Sequence, residues 1–115
     1  MKNNISLDVN HSEKTRVEYF LNNVDGNLEQ IPFDGRELSL VDDIIAGFKF
    51  KEKDQSTFII VIFARSYFHA NDISTANSLT KPGIKWTING DILFGVESID
   101  ERASSQMLSF FAGKE

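Results

Sequence analysis

Residues 58–63 read Phe58-Ile59-Ile60-Val61-Ile62-Phe63, six β-branched or aromatic side chains with no polar residue among them. A strand with one face in water alternates apolar and polar residues, so an unbroken run of this kind fits a strand buried on both faces. A buried helix would also be apolar throughout, but β-branched and aromatic side chains lose rotamer freedom in a helix. The run therefore predicts a central strand with helices packed against it. The chain has 115 residues, the usual size of one domain. A single α+β domain over residues 1–115 is expected: an antiparallel sheet of about five strands with helices mainly on one face.

The remaining elements follow from periodicity and punctuation. Ile5, Leu7 and Val9 alternate with polar residues and predict a short strand at residues 5–9. Ser12 fits a helix N-cap, and Val17, Phe20, Leu21 and Val24 then recur at helical spacing, with Asp25-Gly26 closing the helix. Residues 27–37 contain Pro32 and Gly35 and read as a loop, with one short extended piece at 28–31. A second helix is expected over residues 40–46, capped by Ser39. Phe48 and Phe50 alternate with Lys49 and Lys51, a strand with Phe inward. Asp54, Gln55 and Ser56 make a turn, and a long strand follows over residues 57–67. Residues 69–83 are polar and read as loop, with one helical turn around Ile73, Ala76 and Leu79 capped by Asp72. Ile84, Trp86 and Ile88 share the inner face of the next strand. Asn89-Gly90 then predicts a type I′ hairpin turn, and residues 91–97 return as the partner strand. A last helix starts near Ser98 or Asp100, buries Ile99, Ala103, Met107, Leu108, Phe110 and Phe111, and stops at Gly113.

Composition excludes several chemistries. Cysteine is absent, which removes disulfides, thiolate metal sites and a cysteine nucleophile. The two histidines, His11 and His69, stand in no metal-ligand spacing, so no metal is expected; His11 reads as an exposed residue before the first helix. The glycines form neither GxGxxG nor a phosphate-binding GxxxxGK motif, and no cofactor is expected. The longest apolar stretch, residues 58–64, is far short of the roughly 20 residues of a membrane span. Residues 1–6 carry no apolar signal-peptide core. A cytoplasmic protein without a membrane partner is expected.

Charge is distributed unevenly. The net charge is −5, and Asp25, Glu29, Asp34, Glu37, Asp42 and Asp43, opposed within that segment by Arg36 alone, account for all of it. Such a segment repels phosphates and disfavours nucleic acid as a partner. It favours a basic protein instead. The plainer alternative is a solvated surface. Glu97, Asp100 and Glu101 form a second acidic group. Tyr19, Tyr67 and Trp86 could anchor an interface, although each also fits the edge of a core. Arg65, Ser66, His69 and Asp72 form the best polar cluster for acid-base chemistry, at the end of the long strand. An extended strand would hold residues 65 and 69 about 13 Å apart. The triad Arg65, His69 and Asp72 is therefore expected not to assemble, and a His69→Ala variant should keep its biological activity. No enzyme is expected.

The run Lys85-Trp86-Thr87-Ile88-Asn89-Gly90-Asp91-Ile92-Leu93-Phe94-Gly95-Val96-Glu97-Ser98, followed by a helix ending Phe110-Phe111-Ala112-Gly113-Lys114-Glu115, resembles the immunity proteins of contact-dependent growth inhibition systems. The resemblance implies a cytoplasmic inhibitor that binds a cognate antibacterial toxin domain, often a nuclease with a basic site, and is monomeric when free. The partner-binding candidates are then Asp34, Glu37, Asp42 and Asp43, with Glu97, Asp100 and Glu101 as a second surface. The alternative is a secretion-chaperone-like binding module, also small and acidic, working as a dimer.

Overall fold

The apolar run lies at the centre of a five-stranded sheet, sealed on both sides. The computed structural model describes residues 2–53 and 56–113. Helix α1 (Lys14–Asn22) is followed by strands β1 (Leu28–Ile31), β2 (Ile44–Glu52) and β3 (Phe58–Ala64). Helix α2 (Tyr67–Thr80), strands β4 (Ile84–Asn89) and β5 (Ile92–Glu97) and helix α3 (Glu101–Phe111) complete the order. The strands lie in the order β1-β2-β3-β5-β4, every neighbouring pair antiparallel.

Each strand residue points to the opposite face from its neighbour, so β3 feeds two cores. Ile59, Val61 and Phe63 join Phe48, Phe50, Ile92, Phe94 and Val96 under α1 and α3. Ile60, Ile62 and Ala64 join Leu93 under α2, which contributes Ala70 and Ile73. Two helices thus cover one face and one covers the other. On the α1–α3 side the Phe94 and Phe111 rings stack at 4.5 Å with 8° between planes. The α2 side seats aromatic rings on glycines. A Cβ on Gly47 would lie 2.2 Å from the Phe33 ring, and one on Gly95 would lie 2.5 Å from Trp86. Both distances are below any tolerable contact, so the two glycines are where those rings enter the core.

Several expectations are corrected. Residues 5–9 form no strand. The amides of Ile5 and Leu7 donate to the side chains of Asn22 and Glu18 on α1 instead of to a neighbouring strand. The alternation is still real, because Leu7 is buried and Ile5 and Val9 pack on the core. Residues 28–31 do form a strand, the edge strand β1. Helix α1 begins after Glu13 rather than Ser12 and ends at Asn22, before Asp25-Gly26. The helix expected over 40–46 is only a 3-10 turn at Val41–Asp43, and β2 starts at Ile44 because that residue pairs with Ala64 of β3.

The long strand stops at Ala64, and residues 67–80 are helical rather than loop. Ser66 caps α2, its hydroxyl accepting the His69 amide at 3.2 Å. The hairpin turn lies one residue later than expected. Asn89 pairs with Ile92, leaving Gly90 and Asp91 as the central residues. Gly90 has φ +66 and Asp91 is not among the positive-φ residues, the pattern of a type II′ turn, which takes glycine first. Asp100 caps α3, as one of the two expected starts, by accepting the amides of Arg102 and Ala103. Ile99 lies before that cap and is exposed. Of the turn expected at Asp54, Gln55 and Ser56, the first two lie outside the described residues.

Candidate acidic interface

Residues 32–43 cross from β1 to β2 as a strap over the α2 face, and three contacts hold it there. The Phe33 ring lies on Gly47. Leu38 is buried with Ile60, Ile62 and Ile73. Asn77, fully buried in α2, grips the backbone of Ser39. Its Oδ1 accepts the Ser39 amide at 2.9 Å, and its Nδ2 donates to the Ser39 carbonyl at 3.2 Å and to the Ile73 carbonyl at 2.8 Å. A side-chain amide thus imitates one rung of a β-ladder and satisfies a loop that carries no ladder of its own.

The strap carries the four acidic candidates, in two electrostatic states. Asp34 caps the 3-10 turn Gly35–Glu37 by accepting the Arg36 amide at 3.0 Å, and its carboxylate also takes the Arg36 guanidinium at 3.1 and 3.2 Å. Those charge-assisted bonds hold the Asp34 carboxyl below its ordinary 3.8 and raise Arg36. Both side chains are exposed, so the pair fixes local geometry more than it adds stability. Glu37 lies 3.5 Å from Lys49 Nζ of β2, and Lys49 also sits 5.2 Å above the Phe58 ring. Asp42 and Asp43 have no ion pair or side-chain hydrogen bond among the described residues. Asp25 is apart from this group, paired with Lys2 beyond the end of α1, and Glu29 lies on β1.

Glu97, Asp100 and Glu101 are elsewhere. Ile44, next to Asp43, pairs with Ala64, whereas Glu97 pairs with Phe58 at the opposite end of β3. Six strand steps separate those ends, about 20 Å. The structure brings Asp34, Glu37, Asp42 and Asp43 onto one strap and places the second group at the far end of the sheet.

The acid-base cluster does not converge. His69 Nδ1 takes the Ser66 hydroxyl at 2.8 Å within the α2 cap. Among the described residues, Arg65, His69 and Asp72 share no hydrogen bond or ion pair. An open groove of about 480 Å³ lies between α1 and α3, lined by Val24, Met107 and Phe110, and a second of about 700 Å³ lies beside β1. Neither includes Arg65, His69 or Asp72. No group of three His, Asp or Glu side chains suited to a metal ion occurs among the described residues.

His11 is not the exposed residue expected. Its Nδ1 accepts the Glu13 amide at 3.2 Å, which leaves Nε2 as the protonated nitrogen facing Asp91 Oδ2 at 3.0 Å. Its ring centroid is 5.0 Å from that of Phe63. The residues that sequence reasoning missed are therefore polar ones with structural tasks: Asn77, His11 and Asn22, which bonds both backbone groups of Ile5. Helical periodicity contains no signal for them, since a polar residue at a buried position reads as a break in the stripe.

Among the described residues no helix is long and apolar enough to cross a membrane. In comparisons with known proteins, no family model, no curated protein and no solved structure matches this chain.

Proposed function

We propose that the chain is a non-enzymatic immunity protein, acting in the cytoplasm, that binds a cognate antibacterial toxin domain and lays the strap over its basic active site. A nuclease suits this best, because its site must offer Lys and Arg to phosphates. The observation that carries the reading is the pair Asp42 and Asp43: two carboxylates with no ion pair among the described residues, on a strap anchored at Phe33, Leu38 and Ser39. Anchoring matters because an already ordered segment loses little entropy on binding. Complementary charge acts chiefly on encounter, raising association to about 10⁸ M⁻¹s⁻¹ at low salt.

The experiment takes as partner a purified basic nuclease toxin domain that the wild-type chain binds, and uses the variant carrying Glu37→Lys and Asp42→Lys together. Association measured by stopped flow should fall by at least about tenfold at low salt and lose most of its salt dependence. An unchanged rate across salt concentrations would remove the strap from the interface and leave Glu97, Asp100 and Glu101 as the surface to test. The chaperone-like alternative is favoured by a separate observation, the exposed aromatic pair Tyr67 and Phe68.

A further inference from the structure

The strap holds one residue in a conformation that its side chain disfavours. Leu40 has φ +60 and ψ +39, and it is the only non-glycine residue with positive φ among the described residues. In that left-handed region an L-residue's Cβ crowds the following carbonyl oxygen, and Gly or Asn is the usual occupant. Contacts on both sides fix the conformation. Leu38 is buried with Ile73 of α2, and Ser39 is gripped by Asn77. The Leu40 carbonyl then accepts the Asp43 amide at 3.1 Å, which closes the 3-10 turn Val41–Asp43. Leu40 gains little from this within its own chain. It belongs to neither core and stays 45% exposed. A strained residue that its surroundings hold in place, and whose own burial does not offset the strain, points to a binding task.

The residues around Leu40 specify what it meets. Val41 Cγ2 lies against Gly35, where an added Cβ would be 2.8 Å from it, so the two 3-10 turns of the strap touch. Asp34 caps the first turn and Glu37 ends it, and Asp42 and Asp43 lie in the second. Leu40 is thus an exposed apolar side chain beside two acidic turns in contact. The complementary surface is basic around an apolar recess. A nuclease site has both features, since Lys and Arg take the phosphates and flat apolar side chains beside them stack the base. We propose that Leu40 is the anchor of the strap, seated in the apolar recess beside the basic site of the toxin domain while the carboxylates meet its Lys and Arg. This rests on the proposed function and divides the work within it. Charge sets how fast the partners meet, and Leu40 sets how long they stay together.

The experiment measures dissociation of the full chain from a purified basic nuclease toxin domain that the wild type binds. Leu40→Asn is the variant, because asparagine accepts positive φ and leaves the turn intact while the apolar contact is lost. Its complex should dissociate at least about fivefold faster, the effect of leaving an aliphatic side chain unburied. Association and its salt dependence should stay at wild-type values. Leu40→Met, apolar and of similar volume, should dissociate within about threefold of wild type. The free Leu40→Asn chain should melt no more than about 3 °C below wild type, since the side chain serves neither core and its strain is relieved. A smaller change in the dissociation of Leu40→Asn would overturn the anchor, and so would a Leu40→Met complex outside its range. A larger loss of melting temperature would also overturn it, by making Leu40 a residue of the protein's own packing. The two readings fail separately. If Glu37→Lys with Asp42→Lys slows association but Leu40→Asn leaves dissociation unchanged, the strap stays in the interface and only the anchor fails. If that charge variant associates at the wild-type rate at every salt concentration, the strap leaves the interface and the anchor goes with it.

Discussion

Replacing Phe94 by Ala should lower the melting temperature by about 12–20 °C, the consequence of losing about 3–5 kcal/mol. Phe94 is fully buried on β5, stacked on Phe111 of α3 and edge-on to Phe20 of α1 at 6.2 Å between centroids. Truncation removes a ring that Phe20 of α1 and Phe111 of α3 both touch. The cavity cannot close cheaply, since Phe20 and Phe111 are fixed by their helices and Phe94 is flanked in the core by Ile92 and Val96 of the same strand. The loss therefore contains both the transfer free energy of the ring and the residual void. Differential scanning calorimetry measures it, with Phe68→Ala as the matched control. That exposed ring should change the melting temperature by no more than about 2 °C, as surface substitutions do. A Phe94→Ala variant that loses less than about 5 °C would show that α1 and α3 reclose over the gap.

The contrast between these two phenylalanines shows what the sequence can and cannot say. Phe94 stands in phase with Ile92 and Val96 beside a hairpin signal, and its neighbours Leu93 and Gly95 are not polar either, so its burial follows from a strand covered on both faces. The same logic makes β3 and α3 legible, since their apolar patterns are strong and their ends are marked by Asp100 and Gly113. Helix α2 is illegible for a physical reason. Its buried side is Ala70, Ile73 and Asn77, while the large apolar residues Phe68 and Leu79 face water. Seven of its fourteen residues are Ser, Thr, Asn or Asp, which compete with the helix for backbone hydrogen bonds. Tertiary contact with β3 and β5 overrides that weak propensity. The 40–46 segment fails in the opposite sense. Its local pattern suits a helix, but ladder pairing of Ile44 with Ala64 takes precedence.

The candidate interface was legible only as a charge count. That Asp34 is answered by Arg36 follows from their closeness in sequence. That Glu37 is answered by Lys49 depends on β2 passing beneath the strap, which no spacing rule encodes. That Asp42 and Asp43 have no ion pair among the described residues emerges only once the strap is docked.

Of the three contacts that dock the strap, the polar one rests on a single side chain, and Asn77→Ala should expose it. The variant leaves the amide and carbonyl of Ser39 without partners in a half-buried position, at roughly 1–3 kcal/mol for each group that water does not reach. A global loss of about 2–4 kcal/mol is expected, together with fast hydrogen exchange at Ser39 and Leu38 while the β3 amides stay protected. Asn77→Asp separates the two halves of the grip. It keeps an acceptor for the Ser39 amide but turns the donor into an oxygen facing the carbonyls of Ser39 and Ile73. When that carboxyl is protonated it can still donate to one carbonyl; when ionised it donates to neither. The ionised form is thus disfavoured by folding, which raises the folded-state pKa of the introduced carboxyl. Whatever stability the protonated form retains is therefore lost as pH rises through that pKa. Denaturant melts of Asn77→Asp at acid and neutral pH, against wild type at the same two values, give the comparison. If Ser39 exchange stayed slow in Asn77→Ala, Phe33 and Leu38 alone would hold the strap, and the carboxylates of Asp42 and Asp43 would owe their position to packing rather than to this amide.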